Sequence, residues 1–272
     1  FETLFASTNY DNVLTGKKTT GQNGVGLTVL NYTSKKFIVE VGRNGKIYRI
    51  SYKNGGELQS FEEVGTTKEH YSQVTFELDE TVYTKNVFDI NDIKYIVKST
   101  SGISNDIEFT VIYGEEVEHY HYDTVLDYFN DITTKLTAFN LNTTYELDNE
   151  HLQYIEIALN TSVEPTQQTF LNRTLLVKGG TIHEGIISGT RAFMNKVLKE
   201  NKKYQKIAKA VTLDDIRGSI SFVVDTLSTN PEYSNQTKFS TEKIQYKTIA
   251  HNMVNDLLNK VYNSKPKSLE AF

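Results

Sequence analysis

Between residues 35 and 78 apolar side chains recur at every second position, and the run is broken by Asn-Gly pairs. Phe37, Val39 and Val41 alternate with Ile38 and Glu40, and Tyr48, Ile50 and Tyr52 resume the alternation after Arg43-Asn44-Gly45-Lys46. A period of two sends one set of side chains to each face of a strand. Asn-Gly supplies the positive φ that a two-residue hairpin turn needs, so the segment reads as an antiparallel hairpin. A second turn at Asn54-Gly55-Gly56 and an alternating run over 73–78 extend the sheet. Residues 89–98 predict a short helix, and 106–113 with 116–122 a hairpin joined at Gly114. In 122–136, Val125, Leu126, Phe129 and Ile132 stand at helical spacing, with Asp123 as the expected N-cap.

The second half changes character. Strands are expected over 136–146, 152–162 and 170–177, followed by a break at Gly179-Gly180. Thr181 and Glu184 have the spacing of a capping box and open a helix over 182–204. A strand over 219–227, a polar loop over 228–240 and a terminal helix over 241–262 complete the reading. Sheet signals followed by helix signals place the chain in the α+β class, and 272 residues suffice for two modest domains. The boundary is expected near 133, giving domains 1–133 and 134–263 and a linker over 264–272.

Composition removes several function classes. Cysteine is absent, which excludes a disulfide scaffold, a thiolate metal site and a cysteine nucleophile. A net charge of −5 argues against a surface that is basic all over, although a local basic patch is compatible with it. No apolar run approaches the roughly 18 to 20 residues of a membrane span, so no membrane partner and an aqueous, cytoplasmic location are expected. The chain begins at Phe1 rather than Met and reads as a fragment.

Two stretches carry candidate chemistry. Residues 20–26, Thr-Gly-Gln-Asn-Gly-Val-Gly, place three glycines, at 21, 24 and 26, at the entry to an apolar helical run whose first residue is Gly26. Such a loop can bring backbone N–H groups to an anion at the positive end of a helix, because no Cβ blocks the approach. It is neither the dinucleotide fingerprint, whose glycine spacing differs, nor a Walker A loop, since Gly16-Lys17 is followed by Lys18. The second stretch, Asn230-Pro231-Glu232-Tyr233-Ser234-Asn235-Gln236-Thr237-Lys238, offers a lysine that can meet a phosphate as a point charge and a glutamine that can donate beside it.

Taken together with LFASTNYDN at 4–12, the sheet that follows the glycine loop, EHYHYDTVLDYFNDI at 118–132, KGGTIHEGIISGTRAF at 178–193 and LDDIRGSISFVV at 213–224, these stretches resemble the type IIA DNA topoisomerases. That is the group of gyrase B, topoisomerase IV and the phage topoisomerase large subunits. The resemblance implies the C-terminal part of a GHKL (Bergerat-type) α/β sandwich in 1–133, and in 134–263 a mixed α/β transducer domain with a βαβ crossover. It implies ATP held by the amides of Gly21, Gln22, Asn23, Gly24, Val25 and Gly26, with Gln236 and Lys238 at the γ-phosphate and Lys238 offsetting charge in phosphoryl transfer. Mg²⁺, double-stranded DNA, a homodimer and a DNA-cleavage subunit or domain follow as cofactor and partners. The activity implied is a change of DNA topology by an ATP-operated clamp.

The chain departs from the family pattern in places. Ser7-Thr8-Asn9 stands where the family's lid has Gly-Gly-Lys, and Ile182 stands where it has His, with His183 one place later. Counterparts to the Glu that activates water, the Asn that holds Mg²⁺ and the Asp that reads adenine are not found, so the Mg²⁺ ligand is expected outside these residues and the isolated chain is expected not to turn over ATP. Residues 191–209 hold seven basic side chains and one acidic. Lys196, Lys199, Lys202, Lys203 and Lys206 are its candidates for sequence-independent contact with DNA phosphates, against a solvated helix face as the alternative. His119 and His121 share a strand face but have no third metal ligand. Two other function classes stand beside the topoisomerase reading: a different GHKL clamp ATPase of mismatch-repair or chaperone type, and a non-catalytic dimerisation module.

Overall fold

The computed structural model describes residues 2, 24–134, 141–146, 151–202, 205 and 209–264, with only the backbone for 141–146. The described chain falls into two compact units, one ending at Asp89 and the other beginning at Ile90.

In the first unit, helix α1 (Gly26–Tyr32) precedes strands β1 (Ser34–Arg43), β2 (Lys46–Lys53), β3 (Glu57–Thr66) and β4 (Tyr71–Leu78). They form an antiparallel sheet in the order β3-β2-β1-β4. The turn between β1 and β2 has positive φ at Asn44 and Gly45, 54° and 82°, as the Asn-Gly pair predicts. Register then sorts the alternating side chains. Phe37 lies opposite Tyr52 on one neighbour and Phe76 on the other, and Phe37, Val39 and Tyr52 form a buried cluster packed by Leu30 of α1. On the opposite face Glu40 accepts from Arg49 at 2.6 Å and from Tyr71 Oη at 2.7 Å, while Ser51 and Ser60 hydrogen-bond at 2.8 Å. Sequence patterning does not reveal β3. It is a largely exposed edge strand, acidic at Glu57, Glu62 and Glu63, and two register shifts against β2 blur its alternation.

The second unit opens with α2 (Ile90–Ser101), the hairpin β5 (Phe109–Tyr113) and β6 (Glu116–Tyr120), and α3 (Val125–Ile132). A five-stranded sheet follows, built from β7 (Leu141–Glu146), β8 (Tyr154–Thr161), β9 (Gln167–Leu171), β10 (Thr174–Leu175) and β11 (Ile220–Leu227) in the order β10-β9-β11-β8-β7. Strands β9 and β11 are parallel, so the chain between them must cross over. The crossover contains α4 (Thr181–Glu200) and α5 (Leu213–Arg217), and α6 (Ile244–Ser264) packs beside α4. Central strands β8 and β11 are buried almost throughout because both faces are covered. Ile155, Ile157, Leu159, Phe222 and Val224 meet α4 and α6, whereas Ala158, Phe170 and Val223 meet Val125, Tyr128 and Phe129 of α3. Ile103 joins the same cluster, so this second cluster lies on the sheet face opposite α4 and α6.

Glycines let α4 and α6 approach closely. A Cβ at Gly185 would come within 2.6 Å of Lys247 O, and one at Gly189 within 2.5 Å of Val254 Cγ1. Ser188 Oγ and His251 Nδ1, 2.8 Å apart, join the two helices between those points.

Several local expectations are corrected. Thr124, not Asp123, caps α3, accepting from the Asp127 N–H at 3.1 Å, and Asp123 turns to His121 instead. Thr181 and Glu184 form no capping box. Gly180 is the N-cap of α4, and the box among the described helices is Thr212 with Asp215 at α5. The strand expected over 170–177 begins at Gln167 and is split into β9 and β10 by Asn172 and Arg173, whose φ values are 49° and 63°. The helix expected over 182–204 ends at Glu200, and the terminal helix begins at Ile244 rather than at 241. Residues 136–140 of the expected strand over 136–146, and the linker beyond Ser264, lie outside the described residues.

Candidate functional site

The first candidate element is the entry to α1. Gly24 has φ 60°, and Val25, the N-cap, contributes no side-chain hydrogen bond. No acidic residue stands in the first turn. The helix therefore presents its positive end without a carboxylate of its own in that turn to neutralise it. A Cβ built at Gly26 meets nothing within 4 Å among the described residues. The other end of α1 is fixed to the sheet: Ser34 Oγ donates to Leu30 O at 2.6 Å and Gly55 N–H to Ser34 O at 3.1 Å. Of the six loop positions, Gly24, Val25 and Gly26 are described, whereas Gly21, Gln22 and Asn23 lie outside the described residues.

The second element is the loop between β11 and α6. At its tip Gln236 is exposed, and Thr237 Oγ1 donates to Asn235 Oδ1 at 2.6 Å. Lys238 adopts φ 57°, and its N–H donates to Asn235 O at 3.1 Å. Its side chain is half-buried, and its Nζ lies 5.2 Å from the centre of the Tyr233 ring. Burial holds the Lys238 amine below the ordinary lysine range. The neck of the loop closes where Ser234 N–H donates to Ser240 O at 2.9 Å. Lys243 anchors the base, pairing with Glu232 and lying over the Tyr246 ring at 5.4 Å.

Sequence reasoning missed what this loop is fastened to. Lys178 N–H donates to Phe239 O at 2.8 Å, Thr181 N–H to Thr241 O at 3.0 Å, and Gly180 and Thr241 form a parallel bridge. Gly180, at φ 91°, allows this approach: a Cβ there would lie 2.5 Å from Thr241 N and closer still to Thr241 O. The Lys238 loop is thus bonded to the first residues of α4. The Gly179-Gly180 pair was the available signal, since adjacent glycines at a helix start suit positive φ and close backbone approach.

Just beyond this junction, Glu184 accepts two bonds from Arg217, at 3.0 and 2.9 Å, and His183 is largely buried with its ring 5.1 Å from that of Phe222. Burial lowers the His183 pKa from its ordinary 6.5, with Arg217 adding to the effect and Glu184 opposing it. The unfolded chain then binds more protons than the folded chain between 6.5 and the lower folded value. Stability from neutral His183 is fully present above 6.5 and is lost as pH falls through that window. A His183→Phe chain is expected to show a shallower decline of urea midpoint with falling pH, and an unchanged decline would refute this role.

Among the basic candidates, Lys196 and Lys199 are exposed on α4 and Lys202 is exposed just past its end, while Lys203 and Lys206 lie outside the described residues. Lys196 Nζ donates to Asn259 Oδ1 of α6 at 2.8 Å. His119 faces Glu108 and His121 faces Asp123. Among the described residues no group of three or more His, Asp or Glu could hold a metal ion, and no helix is long and apolar enough to cross a membrane.

Residues 74–272 match the DNA gyrase B family. The chain belongs to that family. It is 25% identical over 259 residues to the B subunit of the type 2 topoisomerase of Aquifex aeolicus, covering 92% of this chain and 32% of the relative. To the B subunit of the DNA gyrase of Streptococcus pyogenes it is 25% identical over 227 residues, covering 80% of this chain and 35% of that one. The gyrase B-family chain thus spans about a third of the length of the curated relatives it matches. In fold it is similar to the ATP-binding domain of Francisella tularensis topoisomerase IV, with TM-score 0.72, 20% identity and coverage of 93% and 70%. It is also similar to the ATPase region of Saccharomyces cerevisiae topoisomerase II, with TM-score 0.68, 22% identity and coverage of 98% and 70%. The mixed α and β fold expected from the resemblance, that of type IIA topoisomerase ATPase regions, is the one observed.

Proposed function

We propose that this chain is part of the ATP-binding and transducer region of an ATP-hydrolysing type II DNA topoisomerase, in which an ATP-operated dimer clamp changes DNA topology. In this reading residues 1–133 belong to the ATPase domain and 134–263 to the transducer. The amides of residues 21–26 cradle the β- and γ-phosphates, with Gln236 and Lys238 meeting the γ-phosphate from the transducer. The observation that carries it is the attachment of the Lys238 loop to the start of α4 through Gly180 and Thr241. A charge contact made at the loop is thereby linked to a long helix, as a nucleotide-operated switch requires. Among the described residues nothing crowds a Cβ position at Gly26, which supports the approach of a phosphate to the glycine loop. Mg²⁺ would accompany the nucleotide and neutralise phosphate charge, and the described residues offer no site built for it.

Membership of the gyrase B family favours this reading over a mismatch-repair or chaperone-type clamp and over a non-catalytic module. Partners would be double-stranded DNA, a second copy and a DNA-cleavage subunit or domain, with the protein DNA-associated in the cytoplasm. The deciding experiment measures ATP hydrolysis by these 272 residues alone and after addition of the N-terminal piece of a gyrase B relative. Turnover is expected only with that piece and only with Lys238 intact. Steady hydrolysis by the chain alone, abolished by Lys238→Ala, would show that the catalytic set lies within these residues.

The exposed lysines of α4 are proposed to meet DNA phosphates without reading sequence. Removing one phosphate-binding lysine should reduce the slope of log affinity against log salt by about 0.9. Lys196→Glu with Lys199→Glu is expected to weaken DNA binding and flatten that slope, and an unchanged slope would remove the proposal.

A further inference from the structure

Lys238 is held at both ends of its side chain. At the backbone, φ 57° and the bond from its N–H to Asn235 O fix the direction in which the side chain leaves the loop. At the far end, Nζ lies 5.2 Å from the centre of the Tyr233 ring, within the roughly 6 Å over which an aromatic face attracts a cation. Tyr233 is itself firmly seated. Its hydroxyl donates to Leu171 O at 3.1 Å, at the end of β9, and its body packs against the main core of the second unit. Burial raises the Tyr233 phenol to about 12, so it is a neutral donor in any ordinary buffer. Ser234, the next residue, closes the neck of the loop through Ser240, with the two hydroxyls 2.6 Å apart. The ring plane is therefore rooted in the sheet while the amine rests on it from the loop.

We propose that Tyr233 is a positioning residue for Lys238, its ring face orienting the ammonium toward the terminal phosphate of a nucleoside triphosphate. The proposal rests on the reading of Lys238 given above. Lysine carries a compact charge on a flexible four-carbon stem, and ordering that stem at the moment of binding costs affinity. A ring face restricts the stem beforehand. It attracts the cation through the aromatic quadrupole without accepting along a lone pair, so it does not compete with phosphate oxygens for the ammonium N–H groups.

Two measurements test this. The first uses the full chain with ¹³C-dimethylated lysines, the Lys238 signal being assigned from Lys238→Arg. That signal is expected to be shifted upfield by the ring current in the parent, to stay so in Tyr233→Phe, and to lose the shift in Tyr233→Leu. Absence of the shift in the parent overturns the proposal without any variant at position 233. The second measures the affinity ratio of AMP-PNP to ADP in the assembly with the N-terminal piece. Tyr233→Leu is expected to lower that ratio about threefold to tenfold and Tyr233→Phe to preserve it, as a contact of cation–π strength predicts. A ratio that Lys238→Ala leaves at the parent value would defeat the γ-phosphate reading itself. A ratio lowered by Lys238→Ala but not by Tyr233→Leu would remove the role of Tyr233 alone.

Discussion

Lys238→Ala is expected to reduce ATP turnover by the assembled enzyme about a hundredfold or more, the usual consequence of removing one preorganised group that stabilises transition-state charge. In phosphoryl transfer, charge spreads over the equatorial oxygens of the transferred group, and the protein acts by positioning and by neutralising that charge. A cation seated on Tyr233, with its amine partly withdrawn from water, is better prepared for this than a solvated lysine. Burial favours loss of the proton, and an arriving phosphate favours its retention, so the charged form is reinforced when the contact is made. The effect should fall mainly on kcat. Lys238→Arg should recover only part of the loss, because a planar fork does not replace a point charge held over a ring at φ 57°. Steady-state hydrolysis with and without the substitution measures this, and turnover within about threefold of the parent would show that Lys238 carries no such charge role.

Gly180→Ala is expected to have the largest effect on stability of any single methyl addition at the candidate site. Its φ of 91° and ψ of −153° lie in a region essentially confined to glycine, where another residue costs about 1 to 3 kcal/mol. The added Cβ would also press on the Thr241 backbone, and such overpacking typically costs a further 1 to 3 kcal/mol or so. A combined loss of about 3 kcal/mol is expected by urea unfolding, with the 239–241 segment released from the start of α4. Gly114→Ala is the matched control. Its φ of 60° is also left-handed, but the new carbon meets nothing within 4 Å among the described residues, so only about 1 kcal/mol should be lost. Equal losses for the two variants would mean that the contact with Thr241 contributes nothing beyond backbone strain.

The Gly180 junction also shows why part of the site was legible in the sequence and part was not. Glycine pairs, Asn-Gly turns and the two apolar periods are local signals, so the first hairpin, the α4 and α6 helices and the loop carrying Lys238 could all be placed from neighbouring residues. The resemblance singled out Lys238 and the glycine loop, whereas composition alone described only a polar loop with a lysine in it. Tyr233 gave no signal of its own. An aromatic residue in a loop becomes a platform when the fold packs its ring against the core, here beside Leu171 on a strand distant in sequence. β3 escaped for a related reason: an exposed edge strand pairs through its backbone, and its side chains need not alternate.

The sequence by itself determined where strands, helices and turns could form, because those choices depend on φ preferences and side-chain period within a few residues. Tertiary structure decided how the polar groups were spent. Thr181 and Glu184 have the spacing of a capping box, yet the threonine hydroxyl lies 3.0 Å from Thr241 Oγ1, 60 positions away, and the glutamate pairs with Arg217. A local cap and a distant partner compete for the same lone pairs. Here the bond between the Lys238 loop and α4 takes precedence, because the fold of the second unit places Thr241 against Gly180 and Thr181.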